Sequence, residues 1–144
     1  MTLDIFADKP RIDSLAKLEA MGFRKVADWA IKAGALECAL QDLAKAQNIL
    51  YAFVSDRSIL YIGKTVRPLH QRMYGYRRPH ATQSTNIKGN RLILEALSSG
   101  LSVSIYALPD NGLLFYGGFH VNLAAGLEDS LVNAIKPPWN KMGI

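Results

Sequence analysis

The sequence predicts a small α/β protein, a central antiparallel three-stranded sheet flanked by helices, with an N-terminal extension over residues 1–48. Three observations carry this expectation. Two apolar runs, Ile49–Val54 and Ile59–Ile62, are separated only by Ser55-Asp56-Arg57-Ser58 and read as adjacent antiparallel strands. A third run alternates Leu101, Val103 and Ile105 with Ser102, Ser104 and Tyr106, which is the two-residue period of a half-buried strand. The segments between and after these runs repeat their apolar residues at helical spacing. A chain of 144 residues with 49% hydrophobic content can fill one ordinary core.

Taken in order, Asp13-Ser14 ahead of Leu15, Leu18 and Met21 predicts a capped helix ending at Gly22. Residues 35–46 read as helix by propensity, while the alternation of Leu36, Cys38 and Leu40 after Gly34 keeps open a hairpin with the Val26–Ile31 segment. No Pro/Gly/Ser linker follows, so residues 1–48 are expected to pack on a domain spanning 49–144. An odd-length loop in the first hairpin sets Tyr51 opposite Tyr61 with both rings on one face; a two-residue loop offsets them.

Pro68 suits a helix start, and Leu69, Arg72, Met73 and Tyr76 follow at i, i+3, i+4 and i+7. An arginine has entered an apolar stripe. It points toward the sheet, where a guanidinium taken out of water needs an anionic partner. Asn90–Leu97 predicts a second helix stopping near Gly100, and Pro109-Asp110-Asn111-Gly112 a turn. In the last helix, about Leu123 to Ile135, Glu128 shares its face with Leu131, Val132 and Ile135, whereas Asp129 lies with Asn133 and Lys136. Helical geometry selects Glu128 as the inward carboxylate.

Charge is unevenly spread. Residues 1–48 hold seven Lys/Arg and seven Asp/Glu; residues 49–144 hold ten and five, which accounts for the whole net charge of +5. From Lys64 to Arg91 come Lys64, Arg67, Arg72, Arg77, Arg78, Lys88 and Arg91, with no carboxylate among them. Such a stretch expects an anion, and a polyanion above all, although a membrane surface or solubility alone gives a similar sum. Cys38 is the only cysteine, and His70, His80 and His120 show no metal-ligand spacing, which excludes a disulfide framework and a zinc site of the usual kind. Asp4 and Asp8 interrupt the start of the chain, and eighteen apolar residues never occur together. The expected protein is soluble and cytoplasmic, without a membrane partner.

Ile49-Leu50-Tyr51, the run Tyr61-Ile62-Gly63-Lys64-Thr65, Arg72, Tyr76, Glu128 and Pro137-Pro138-Trp139-Asn140 occur in an order and spacing that resembles the GIY-YIG nucleases. The resemblance covers about two thirds of the chain, Ile49 to Asn140. Only the tyrosine of the first triplet is kept; the second is complete. What this implies is a GIY-YIG-like domain that hydrolyses DNA phosphodiester bonds with Mg²⁺ or Mn²⁺. Glu128 would hold the metal and Tyr51 would serve as general base, with Tyr61 or Tyr76 orienting water or phosphate and Asn140 fixing the geometry of the tyrosine or glutamate. Arg72 suits the charge on the reacting phosphate, because its fork is always protonated and matches phosphate geometry. An ordinary phenol, with a pKa of about 10, is a poor base at neutral pH, so Lys64 and Arg72 are expected to draw it down.

DNA contacts are expected from Arg67, Arg77, Arg78, Lys88 and Arg91. The absence of a zinc finger, a helix-turn-helix or a long linker beside the module favours a restriction-like or structure-specific enzyme, and a palindromic site would call for a homodimer. Two other classes compete. One is a non-catalytic nucleic-acid-binding module whose tyrosines stack on bases. The other is a protein-interaction domain presenting Phe115-Tyr116-Gly117-Gly118-Phe119 as an apolar loop.

Overall fold

The computed structural model describes residues 13–144. Residues 1–12, including Asp4 and Asp8, lie outside the described residues. The first helix, α1 (Ser14–Met21), forms as predicted. Asp13 Oδ1 accepts from the Ala16 amide at 3.1 Å, and Gly22 closes the helix with a left-handed φ of 118°.

Five strands, not three, make the sheet. β3 (Ile49–Ser55), β4 (Ser58–Thr65) and β5 (Ser104–Leu108) are the expected set, and the N-terminal segment adds β1 (Arg24–Lys32) and β2 (Ala35–Cys38). The order is β2-β1-β5-β3-β4, and every neighbouring pair is antiparallel. The hairpin alternative at residue 34 therefore prevails over helix propensity. Ala33 and Gly34, with φ of 50° and 78°, close the tight β1–β2 turn, and Leu36 is buried. β1 also satisfies the edge that β5 would otherwise leave unpaired. The expected boundary at residue 48 thus falls between strands of one sheet.

Every residue of β3 is buried, because helices cover both faces of the sheet. One face carries Ile49, Tyr51, Phe53 and Tyr61 beneath α2 (Leu69–Arg77) and α3 (Ser84–Ser98). The other carries Leu50, Ala52, Val54 and Ile62 beneath α1 and α4 (Leu123–Ile135). Phe53 is the hub of the first layer. Its ring lies 5.3–6.4 Å from those of Trp29, Tyr51, Tyr61, Tyr76 and Trp139. Such pairs contribute about 0.5–1.5 kcal/mol each beyond the area they bury.

Two boundaries differ from expectation for local reasons. α3 begins at Ser84, before the expected Asn90, and its early inward positions carry Asn86 and Gly89, so no apolar stripe marks them. β5 begins at Ser104 because Gly100 and Leu101 donate back to Leu97 and Ala96 at 3.1 and 3.0 Å, finishing α3 instead of starting a strand. β6 (Phe115–Tyr116) and β7 (Phe119–His120) form a separate hairpin with its aromatic side chains exposed. α5 (Pro138–Lys141) follows Pro137 and places Trp139 in the core. No helix among the described residues is long and apolar enough to cross a membrane.

Candidate active site

The β3–β4 turn has two central residues, Asp56 and Arg57, both at positive φ. Ser55 pairs with Ser58 and Val54 with Ile59, a register that would turn Tyr61 away from Tyr51. A bulge corrects this. Past the register shift, Phe53 pairs with Tyr61, Ala52 with Ile62 and Tyr51 with Gly63. The extra residue, Leu60, returns Tyr61 to the face of Tyr51, two pairs along, with ring centroids 6.0 Å apart. Gly63 is required opposite Tyr51: a Cβ there would lie 2.7 Å from Tyr51 Cζ and Oη and 2.8 Å from Tyr61 Cε2.

Arg72 reaches this pair from α2. Its Nε donates to Tyr51 Oη at 3.1 Å, Nη2 to Tyr76 Oη at 2.7 Å and Nη1 to Asn86 Oδ1 at 2.6 Å. Its Cζ lies 4.1 Å from the centroid of the Tyr76 ring. All three partners are neutral oxygens, and no carboxylate pairs with Arg72 among the described residues. The guanidinium enters the apolar stripe as predicted and keeps its charge unneutralised. Tyr51 and Tyr76 also bond to each other at 2.7 Å. That bond uses one of two hydroxyl hydrogens, while the arginine uses acceptor lone pairs, so one phenolic O–H remains to donate elsewhere.

Tyr51 is fully buried, and burial pushes its phenol well above the ordinary range. The nearby Tyr61 adds to the rise, and the Arg72 charge together with the bonds from Tyr76 and Arg72 offsets only part of it. The expectation that cations draw Tyr51 down is therefore corrected, because desolvation of the phenolate outweighs them. Lys64 pairs with Leu50 and lies on the other face of β4 from Gly63 and Tyr61, with its ammonium 3.8 Å from Glu128 Oε1. Its neighbour is the carboxylate and not the phenol.

Glu128 projects from α4 and is partly buried, whereas Asp129 is exposed, as the helical face predicts. Burial raises the Glu128 carboxyl above its usual value, Lys64 lowers it and Asp129 raises it. No group of three or more His, Cys, Asp or Glu suited to a metal occurs among the described residues. A half-desolvated single carboxylate nevertheless fits a hard dication that keeps most of its water, since the ion's charge offsets the burial. Asn140 does not bond to a site tyrosine or to Glu128. Its Oδ1 accepts from the Ile62 amide and its Nδ2 donates to the Ile62 carbonyl, both at 2.9 Å, so it caps the edge of β4 between Tyr61 and Gly63.

The outlying cations divide. Arg67, Arg78, Lys88 and Arg91 are exposed, and Arg91 lies 3.8 Å from Glu95. Arg77, expected to contact DNA, is tied to the protein. Its Nη2 bonds Glu37 of β2 at 3.2 Å and its Nε is buried, so it joins α2 to the sheet edge. Three site residues were not anticipated from the sequence: Asn86, Gly89 and Asn90. Asn90 Nδ2 donates to the Tyr76 carbonyl at 2.8 Å, and a Cβ on Gly89 would meet Tyr76 Cε1 at 2.6 Å. Two asparagines four apart with a glycine between them, on one helix face, were the signal available.

No family model matches the chain, and no curated protein does. Among solved structures it is similar to a mutant of bacteriophage T4 EndoII, with a TM-score of 0.68 and 21% identity over 91% of this chain and 99% of that one. It is also similar to the restriction endonuclease HPY188I in complex with product DNA, with a TM-score of 0.55 and 17% identity over 98% of this chain and 86% of that one. At these identities the likeness is one of fold, and it extends over the N-terminal strands as well as the region from Ile49 onward.

Proposed function

We propose that this chain is a metal-dependent DNA endonuclease of the GIY-YIG type. The observation that carries the reading is the Arg72 guanidinium, held at three nitrogens by neutral oxygens with no carboxylate partner among the described residues. A partly buried cation fixed in this way is a seat for an anion, and its fork matches a phosphate. Arg72 also lies within the run from Lys64 to Arg91, which carries basic residues and no carboxylate. Further support comes from the fold shared with T4 EndoII and with a restriction endonuclease bound to product DNA.

In this reading Arg72 binds the scissile phosphate and stabilises the negative charge that builds in the transition state. The buried Tyr51–Tyr76 pair acts behind Arg72, fixing the guanidinium toward the phosphate. Tyr61 stands outside that bonded pair on the same face and is the candidate to orient water. Glu128, on the Lys64 side of β4, would hold Mg²⁺ or Mn²⁺, an ion that supplies polarisation of a phosphate oxygen and stabilisation of a departing oxygen when bound. Asn140 keeps β4, and with it Tyr61 and Gly63, in register. A restriction-like enzyme acting on a palindrome would work as a homodimer.

Purified protein incubated with plasmid and with branched, nicked and single-stranded oligonucleotides tests the reading. Cleavage with Mg²⁺ or Mn²⁺ that stops in EDTA and is absent in Glu128→Gln is expected. Binding without cleavage under every metal condition would leave a nucleic-acid-binding module instead.

A further inference from the structure

A groove of about 500 Å³ lies along the outer side of α2 and the segment that follows it. Arg67, His70, Tyr74, Arg78, His80 and Gln83 line it, and no carboxylate does. Tyr74 is 56% exposed in the midst of these polar groups. Its exposed ring is available as a stacking surface in a groove that Arg67 and Arg78 also line.

One wall of the groove is Gly75. This glycine sits inside a helix with ordinary φ, where it is destabilising by about 1 kcal/mol relative to alanine. A Cβ there would lie 3.1 Å from Asn86 Nδ2 and 3.5 Å from Arg72 Nη1. Gly75 thus stands next to both Asn86 and the Arg72 guanidinium. A chain of amides makes the same connection. Gln83 Oε1 accepts from Asn86 Nδ2 at 3.0 Å and from the His80 amide at 3.2 Å, and Asn86 Oδ1 accepts from Arg72 at 2.6 Å. With its oxygen used twice, Gln83 has only its N–H donors to offer a ligand.

We infer that this groove seats an unstacked nucleotide of the substrate strand, its base on the Tyr74 ring and its phosphates between Arg67 and Arg78. The ligand class follows from the lining: cations and amide donors suit phosphodiester oxygens, and one bare aromatic face suits any base without regard to sequence. The inference rests on the nuclease reading and places a stretch of the same strand beside the scissile phosphate. It also gives Asn86 a role as a positioning residue between the groove and Arg72.

The test measures binding of fluorescent single-stranded, bulged and fully paired oligonucleotides to the full chain in EDTA, alongside cleavage by wild type in Mg²⁺. Tyr74→Ala should weaken binding of unpaired substrates about tenfold, since base–aromatic stacking is worth about 1–3 kcal/mol. It should do less to the paired duplex, and Tyr74→Phe should restore affinity. Tyr74→Trp should be quenched by unpaired strands. Arg67→Ala with Arg78→Ala should lower the salt dependence of binding by about one unit for each lost phosphate contact. Circular dichroism of each variant confirms folding, and Lys17→Ala on the distant α1 serves as the control.

If wild type cleaves DNA while the Tyr74 and arginine variants bind unpaired strands as wild type does, the groove inference is overturned and the nuclease reading stands. Equal losses on paired and unpaired DNA from Tyr74→Ala overturn the base seat. Wild type that binds unpaired strands through Tyr74 but cleaves nothing upholds the groove and removes the nuclease reading.

Discussion

Arg72 separates charge from geometry at the scale of single residues. Arg72→Lys keeps the cation but cannot reach Tyr51, Tyr76 and Asn86 together, so cleavage should fall by about 10²–10³-fold while DNA affinity in EDTA changes little. Single-turnover rates beside binding curves would check this, and a lysine variant that cleaves normally would remove Arg72 from the chemistry. Lys64 makes a pH prediction. Its ammonium lowers the Glu128 carboxyl, so Lys64→Met should raise that pKa and move the acid limb of the pH–rate profile to higher pH. A shift confined to the alkaline limb would instead link Lys64 to a tyrosine. Glu128 also carries a stability prediction. Its folded-state pKa lies above the usual 4.5, so ionisation opposes folding at neutral pH, and the penalty vanishes below the unfolded value, where both states are protonated. Glu128→Gln should therefore raise Tm slightly at pH 7 and not at pH 4 while abolishing cleavage. Most of these residues were legible in the sequence, because an arginine and a glutamate on apolar helix faces are anomalies that periodicity exposes. Asn86 was not, since a buried asparagine in a stripe looks like the end of the stripe.

At the scale of elements, the site depends on two close approaches that only glycine permits. Gly63 in β4 leaves room for the Tyr51 phenol, and Gly89 in α3 leaves room for the Tyr76 ring. Both rings are fully buried and cannot swing aside. Gly63→Ala and Gly89→Ala should each destabilise the fold by about 1–3 kcal/mol through overpacking, even though alanine is the better helix former at 89. Their cleavage should fall further than the loss of folded protein explains, which denaturation curves and rates at a temperature below Tm would separate. The β3–β4 bulge explains why pattern alone left the tyrosines' relation open. Strand identity follows from apolar runs, but a single inserted residue decides which face Tyr61 takes, and Leu60 carries no mark of it. The same holds for β2, where Ala-rich propensity spoke for helix and only the Gly34 turn and the alternation after it spoke for strand.

Across the whole molecule, residues from Lys64 to Arg91 carry only basic charge, and the stretch from Leu92 to Ile135 carries only Glu95, Asp110, Glu128 and Asp129. In the sheet, β5 lies between β1 and β3. That strand order bears on how the chain emerges during synthesis. β1 and β2 are complete by residue 38 and the β3–β4 hairpin by residue 65, yet the strand that joins them ends only at Leu108. Until then the two hairpins have no common sheet, and β1 and β3 present open edges lined with apolar residues. A nascent chain stalled near residue 100 should therefore be sensitive to protease and bound by chaperones, with protection of the Ile49–Ser55 segment arriving abruptly once Leu108 clears the ribosome.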